Sequence, residues 1–180
     1  MTYTSPEWAP ATLIRAPEAE VLDGDPNGTI TLLADSDRTG GLLTSNRSTF
    51  VNGADGAPPH YHANSAELFF VIGGSLQVLV GDQVTTLQAG DFLVVPPGLP
   101  HAFAAPPGAD ADVLFVFAPG TARFDYYRLL DRVHRGQASW PEIGDSQDRF
   151  DNHYVESPVW TEARGTDRVP SRGDGALAGG

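Results

Sequence analysis

His60 and His62 stand two residues apart, and in an extended segment alternate side chains share a face, so both imidazoles point the same way. Glu67 follows five residues later, after the polar link Ala63, Asn64, Ser65 and Ala66. That link is long enough to turn the chain and return the carboxylate at the head of the next strand. Two imidazoles and a carboxylate from neighbouring strands, all facing inward, make a site for a first-row transition metal with open positions. A fourth candidate, His101, opens the strand after Pro96, Pro97 and Gly98, whose types suit a tight turn. A lone buried histidine is usually a hydrogen-bonded core residue, and Pro-Gly is usually only a turn. Three histidines and a glutamate at these spacings are hard to explain that way, and metal binding is the expectation.

The same residues resemble the two sequence motifs of the cupin family. Gly56, His60, His62, Glu67 and Gly74 match the first, with three residues after Gly56 where the family usually has five. Gly90, Pro96, Gly98 and His101 match the second, which departs only at its last position, where Ala105 replaces an asparagine. The motifs and their link span residues 56–105, the middle third of the chain. The resemblance implies an all-β fold, a cupin antiparallel β-barrel of jelly-roll type, here with a short α-helical C-terminal segment. It also implies that His60, His62, Glu67 and His101 hold one divalent transition metal ion: Fe, Mn, Ni, Co or Zn.

Composition bounds the alternatives. At 180 residues the chain has the size of one domain with a full core. It has no cysteine, which excludes disulfides, thiolate ligands and cysteine nucleophiles. The net charge is −12 and all eleven basic residues are arginine, a poor match for nucleic acid or an anionic membrane. No basic-then-apolar leader and no run long enough to span a bilayer is visible, so a cytoplasmic location is the default expectation.

Along the chain, residues 1–29 read as an N-terminal arm with short edge strands at 13–14 and 21–22, and residues 30–119 as the barrel. Strands are expected at 29–34, 42–51, 59–62, 67–72, 76–80, 84–87, 92–95, 101–105 and 113–118, with glycine- and proline-rich turns between them. In the second of these, Thr44, Asn46 and Ser48 share one parity, Arg47 and Thr49 the other; either set can line a pocket, and Arg47 fits solvent better. Both faces of 67–72 and of 113–117 are apolar, although a barrel wall buries only one. A second subunit or the terminal arms must cover the other, and a homodimer is expected. Residues 120–163 form a helical segment packed on the barrel, with a helix at 124–135 whose stripe is Tyr126, Leu130 and Val133, and a second piece at 146–154. His134 and His153 read as surface or packing residues, and 164–180 as a flexible tail.

The ligand set lies inside an apolar wall to which Phe69, Val71, Phe92, Val94 and Phe103 are candidates, subject to strand parity. Such a pocket suits a flat, largely apolar aromatic molecule carrying an oxygen donor. Glu67 serves as ligand or as the base that takes a proton from a metal-bound hydroxyl. A second likeness, resting on the ligand set, the length and the segment Gly120 to Phe124, is to bacterial quercetinase-like flavonol dioxygenases. It implies an enzyme that cleaves a flavonol or similar flat hydroxylated aromatic with O2, releasing carbon monoxide, with Glu67 as base. A non-oxidative cupin enzyme, such as a polyketide cyclase or an isomerase, and a non-catalytic small-molecule binder are the alternatives.

Overall fold

The computed structural model describes residues 11–165. Ten strands build one continuous antiparallel ladder: β1 (Glu20–Leu22), β2 (Gly28–Ala34), β3 (Thr44–Phe50), β4 (His60–Tyr61), β5 (Ala66–Val80), β6 (Gln83–Gln88), β7 (Phe92–Val95), β8 (His101–Ala104), β9 (Ala111–Ala118) and β10 (His153–Tyr154). Their order is β1-β2-β3-β9-β5-β8-β4-β10, with β6 and β7 also paired to β5. The ladder does not close on itself. It is a two-sheet jelly roll, and the expected all-β class with a few short C-terminal helices holds.

β5 joins the two sheets. Its first half pairs with β9 and β7, and its second half with β6 and β8. The chain bends between them at Gly73 and Gly74, where the register with β9 slips. Gly74 has φ 69° and a side-chain carbon there would sit 2.0 Å from the Asp110 carbonyl oxygen, so only glycine fits. The two strands expected at 67–72 and 76–80 are therefore one bent strand.

Alternation fixes what faces inward. Glu67, Phe69 and Val71 are buried, and Phe69 and Val71 form one core with Val113, Phe115 and Phe117 of β9 and with Phe50, Leu76 and Val78. Between β5 and β7, Leu68 pairs with Val94 and Phe70 with Phe92, so these side chains stand on the outer face. Phe70, Ile72, Phe92 and Val94 are 37, 43, 61 and 50% exposed, and no described part of the terminal arms covers them.

Among the described residues four helices follow β9, with β10 between the third and fourth: α1 (Phe124–His134), α2 (Trp140–Asp145), α3 (Gln147–Phe150) and α4 (Pro158–Arg164). The Asp35 carboxylate accepts from the Arg123 and Phe124 amides at 3.1 and 3.2 Å, capping the start of α1. Tyr126, Tyr127, Leu129 and Val133 then pack with Leu22, Leu32, Ile143 and Phe150 in a second core outside the first. The helix expected over 146–154 stops at Phe150, because Asp151 turns left-handed at φ 51° and β10 pairs with β4. No strand forms at 13–14, where a coil leads into a short 3-10 turn (Ala16–Glu18). The expected tail lies, beyond Gly165, outside the described residues. Among the described residues no helix is long and apolar enough to cross a membrane.

Candidate metal centre and its cavity

The second motif docks on the first. The Gly98 amide donates to the His62 carbonyl at 2.7 Å, and His60 of β4 lies opposite His101 of β8. Gly56 allows the loop before β4 to lie against β8, since a side-chain carbon there would meet the Phe103 carbonyl at 2.5 Å. Glu67 enters from the first half of β5. The result is a buried group of His60, His62, Glu67 and His101, whose ligand atoms all lie within 4.8 Å of one another.

Each imidazole is oriented through its outer nitrogen. Nδ1 donates to the Pro58 carbonyl in His60 (2.7 Å), to the Asp151 carbonyl in His62 (2.5 Å) and to the Leu99 carbonyl in His101 (2.9 Å). That tautomer turns every Nε2 lone pair toward Glu67 Oε2, which lies 4.0, 3.1 and 2.6 Å away respectively. Burial, then the charges of His101 and His62, holds His60 well below its ordinary value of 6.5, and burial followed by Arg123 lowers His62. Burial works to raise the Glu67 carboxyl, but its close neighbours His101 and His62 hold it well below its usual range. Lone pairs converging on a buried carboxylate repel unless a cation sits among them. The donor set therefore fits a divalent ion held by imidazole and carboxylate, hard or borderline rather than thiophilic.

The site opens onto a cavity of about 890 Å³ that His60 and Glu67 reach from its inner end. Of the five expected wall residues, Phe103 lines it. Phe69 packs edge-on against Phe103, Phe115 and His101 beneath that wall, and Val71 is core. Phe92 and Val94 stand on the outer face, away from the cavity, because β7 takes the register that buries Val95.

The wall is also more polar than an apolar barrel implies. Asn46 and Ser48 line it, whereas Arg47 points outward to Asp112. The Tyr127 hydroxyl donates to Asn46 Oδ1 at 2.9 Å, and Asn46 Nδ2 donates to Ser48 Oγ at 3.1 Å. The Tyr126 and Tyr154 hydroxyls meet at 2.7 Å. Burial pushes the Tyr127 phenol up to about 12 and also raises Tyr126, so both are neutral donors at ordinary pH. Arg123, 3% exposed, and Asn152, 2% exposed, complete this side.

Sequence reasoning missed Arg123, Asp151, Asn152 and Tyr154 as site residues. Asp151 both orients His62 and accepts, through its carboxylate, from the Ala63 and Asn64 amides at 2.8 and 2.9 Å. The only sequence signal was a cluster of polar and aromatic residues at 151–154 among helix-forming neighbours. His153 stacks on Tyr61 with ring centroids 5.0 Å apart, and His134 lies edge-on to Trp140; neither joins the metal group.

Residues 46–117 match the cupin domain family. Solved structures share the fold. KdgF from Halomonas sp. superposes with a TM-score of 0.54 at 22% identity, over 62% of this chain and 96% of that one. An RmlC-like cupin from Shewanella frigidimarina gives 0.53 at 24%, over 65% and 96%. The polyketide cyclase RemF from Streptomyces resistomycificus gives 0.51 at 16%, over 72% and 99%. At these identities the likeness is one of fold. No curated protein matches the sequence. The family match covers residues 46–117, less than half of the chain, and the solved neighbours add a likeness of fold.

Proposed function

We propose that this protein is a metal-dependent cupin enzyme that binds a hydroxyl oxygen of a flat hydroxylated aromatic, such as a flavonol, and cleaves the molecule with O2. The observation that carries the metal-enzyme reading is the convergence of three backbone-oriented imidazoles on one carboxylate at the inner end of a large cavity. The oxidative step rests on the resemblance of the ligand set and the segment opening α1 to quercetinase-like proteins. The cavity wall supports a hydroxylated substrate, because Tyr126, Tyr154, Asn46 and Ser48 offer partners to hydroxyl groups.

When bound, the ion supplies Lewis acidity and, if redox-active, a site for dioxygen. The chain's own residues do the rest. Glu67 accepts the proton that the substrate hydroxyl gives up, His60 and His101 are held in register by the β4–β8 pair, and Phe103 and Phe115 keep water from one side of the cavity. Metal-replete protein, loaded in turn with Fe, Mn, Co and Ni, is expected to consume O2 and release carbon monoxide with a flavonol. Absence of oxygen uptake with every ion would remove the dioxygenase reading.

A second reading is favoured by the polar wall itself. A cavity with this many neutral donors suits proton transfer and dehydration on an oxygen-rich molecule without O2, and one structural neighbour is a polyketide cyclase. Turnover under strict anaerobiosis separates the two. The proposed assembly is a homodimer, with the outer strip of Phe70, Ile72, Phe92 and Val94 buried between copies.

A further inference from the structure

Arg123 is a buried cation without a counter-ion of its own. Its Nη1 donates to the Phe150 carbonyl and its Nη2 to Asn152 Oδ1, each at 3.1 Å, and among the described residues it has no ion pair with a carboxylate. Among the described residues its Nε has no hydrogen-bond partner, and the Nδ2 of Asn152 has none beyond the neighbouring Tyr154 hydroxyl. The guanidinium stacks 4.2 Å over the Phe117 ring, which softens the cost of burying it but supplies no negative charge. Arginine does not escape that cost by losing its proton.

The charge it does feel lies across His62. Nη1 stands 3.4 Å from His62 Nδ1, and the other nitrogen of that ring faces Glu67. Burial works against the charge on Arg123, and without metal the Glu67 carboxylate is one of the groups that offset it. With a divalent ion among the four ligands, Glu67 is engaged by the ion, and the inner end of the cavity carries an excess of positive charge. Three other acids on the cavity wall are engaged elsewhere: Asp55 pairs with Arg164, Asp131 with Arg135, and Asp25 accepts from the Asn27 amide and lies 4.0 Å from His134. The Asp151 carboxylate is spent on the Ala63 and Asn64 amides.

We infer that Arg123 and Asn152 form an anion-binding subsite beside the metal centre, and that the substrate is a hydroxylated small molecule bearing a carboxylate apart from the oxygen it gives to the ion. The inference rests on the metal-enzyme reading but not on the use of O2, and it replaces the flavonol, which has no carboxylate, with a carboxylated hydroxyaromatic as the preferred substrate. A purely structural role, Arg123 clamping Phe150 and Asn152 to the barrel, accounts for two of its hydrogen bonds. Cation–π contacts with Phe117, Tyr126 and Tyr127 offset part of the cost of burying the charge, but they leave the guanidinium without a negative partner and its Nε without an acceptor. A carboxylate accepts from guanidinium and amide alike, and a charge-assisted hydrogen bond in a buried site exceeds a neutral one.

The test uses the full chain, loaded with Zn so that no turnover intervenes, and two probes: 3-hydroxybenzoate and 3-hydroxybenzyl alcohol. In the acid the two groups are meta, so they do not chelate one ion together. Calorimetry is expected to show the acid binding at least about tenfold more tightly than the alcohol. That preference is expected to vanish in Arg123→Gln and to persist in part in Arg123→Lys, with metal content unchanged in both. Equal binding of acid and alcohol by wild type, no binding of the acid at millimolar concentration, or the same preference in Arg123→Gln would overturn the subsite. If Arg123→Gln fails to fold, the wild-type comparison and Arg123→Lys still decide. Loss of the metal centre itself is distinguished, because zinc content is measured first.

Discussion

His62 Nδ1 donates to the backbone carbonyl of Asp151 at 2.5 Å, joining a metal-ligand candidate to a residue 89 positions away. The carboxylate of the same Asp151 holds the Ala63 and Asn64 amides, so one left-handed residue fixes both the ring and the loop that carries the chain on to Glu67. The C-terminal segment is therefore part of the centre as well as a cover for the sheet.

Asp151→Ala should weaken metal binding about ten- to hundredfold, the usual cost of disturbing a group that orients a ligand. Alanine also strains at φ 51°, whereas Asp151→Asn tolerates that conformation and keeps one amide acceptor. Zinc titration of both variants is expected to rank wild type above Asp151→Asn above Asp151→Ala. Identical affinities would mean that the loop holds itself.

The stability of the metal-free protein should depend on pH in a defined direction. Unfolded histidines titrate near 6.5, while His60 and His62 are lowered in the folded chain, chiefly by burial. Below about pH 6.5 the unfolded chain binds protons that the folded one refuses, so stability falls as pH drops, by at most about 1.4 kcal/mol per unit for each histidine. Glu67, held low, adds stability above its unfolded value that is lost only at more acid pH. Urea midpoints of apoprotein from about pH 7.5 down to 5.5 are expected to fall; a rising midpoint would contradict the neutral, metal-ready histidines.

Most strands and the grouping of His60, His62, Glu67 and His101 were legible because period-two alternation and motif spacing are local properties. The faces of β7 were not. Phe92, Leu93, Val94 and Val95 are apolar at every position, and only pairing with β5 decides that Val95 turns inward. The segment 151–154 was misread for a similar reason: β10 exists through its pairing of His153 with Tyr61, a contact that helix periodicity does not reveal. Arg123 was visible as a residue but not as a site, since its meaning depends on burial.

Glu67→Gln keeps the size and one oxygen but loses the base. The variant is expected to retain a substantial part of its metal and to lose about a hundredfold or more of its turnover. Parallel measurement of metal content and rate checks this, and a rate within a few-fold of wild type would reassign the proton to another acceptor.

The outer strip should behave as an interface. Phe92→Glu places a charge at its most exposed residue without touching the core. Wild type is expected to sediment as a dimer at micromolar concentration and the variant as a folded monomer. A monomeric wild type would assign the strip's cover to a different partner.

The central claim is that His60, His62, Glu67 and His101 hold one metal ion. Elemental analysis of protein purified without added metal, beside His60→Ala and His101→Ala prepared identically, tests it most directly. The account predicts close to one divalent transition ion per chain in wild type, with both variants folded and largely depleted. A metal-free wild type that takes up no added ion, or near-stoichiometric metal in both variants, would contradict it.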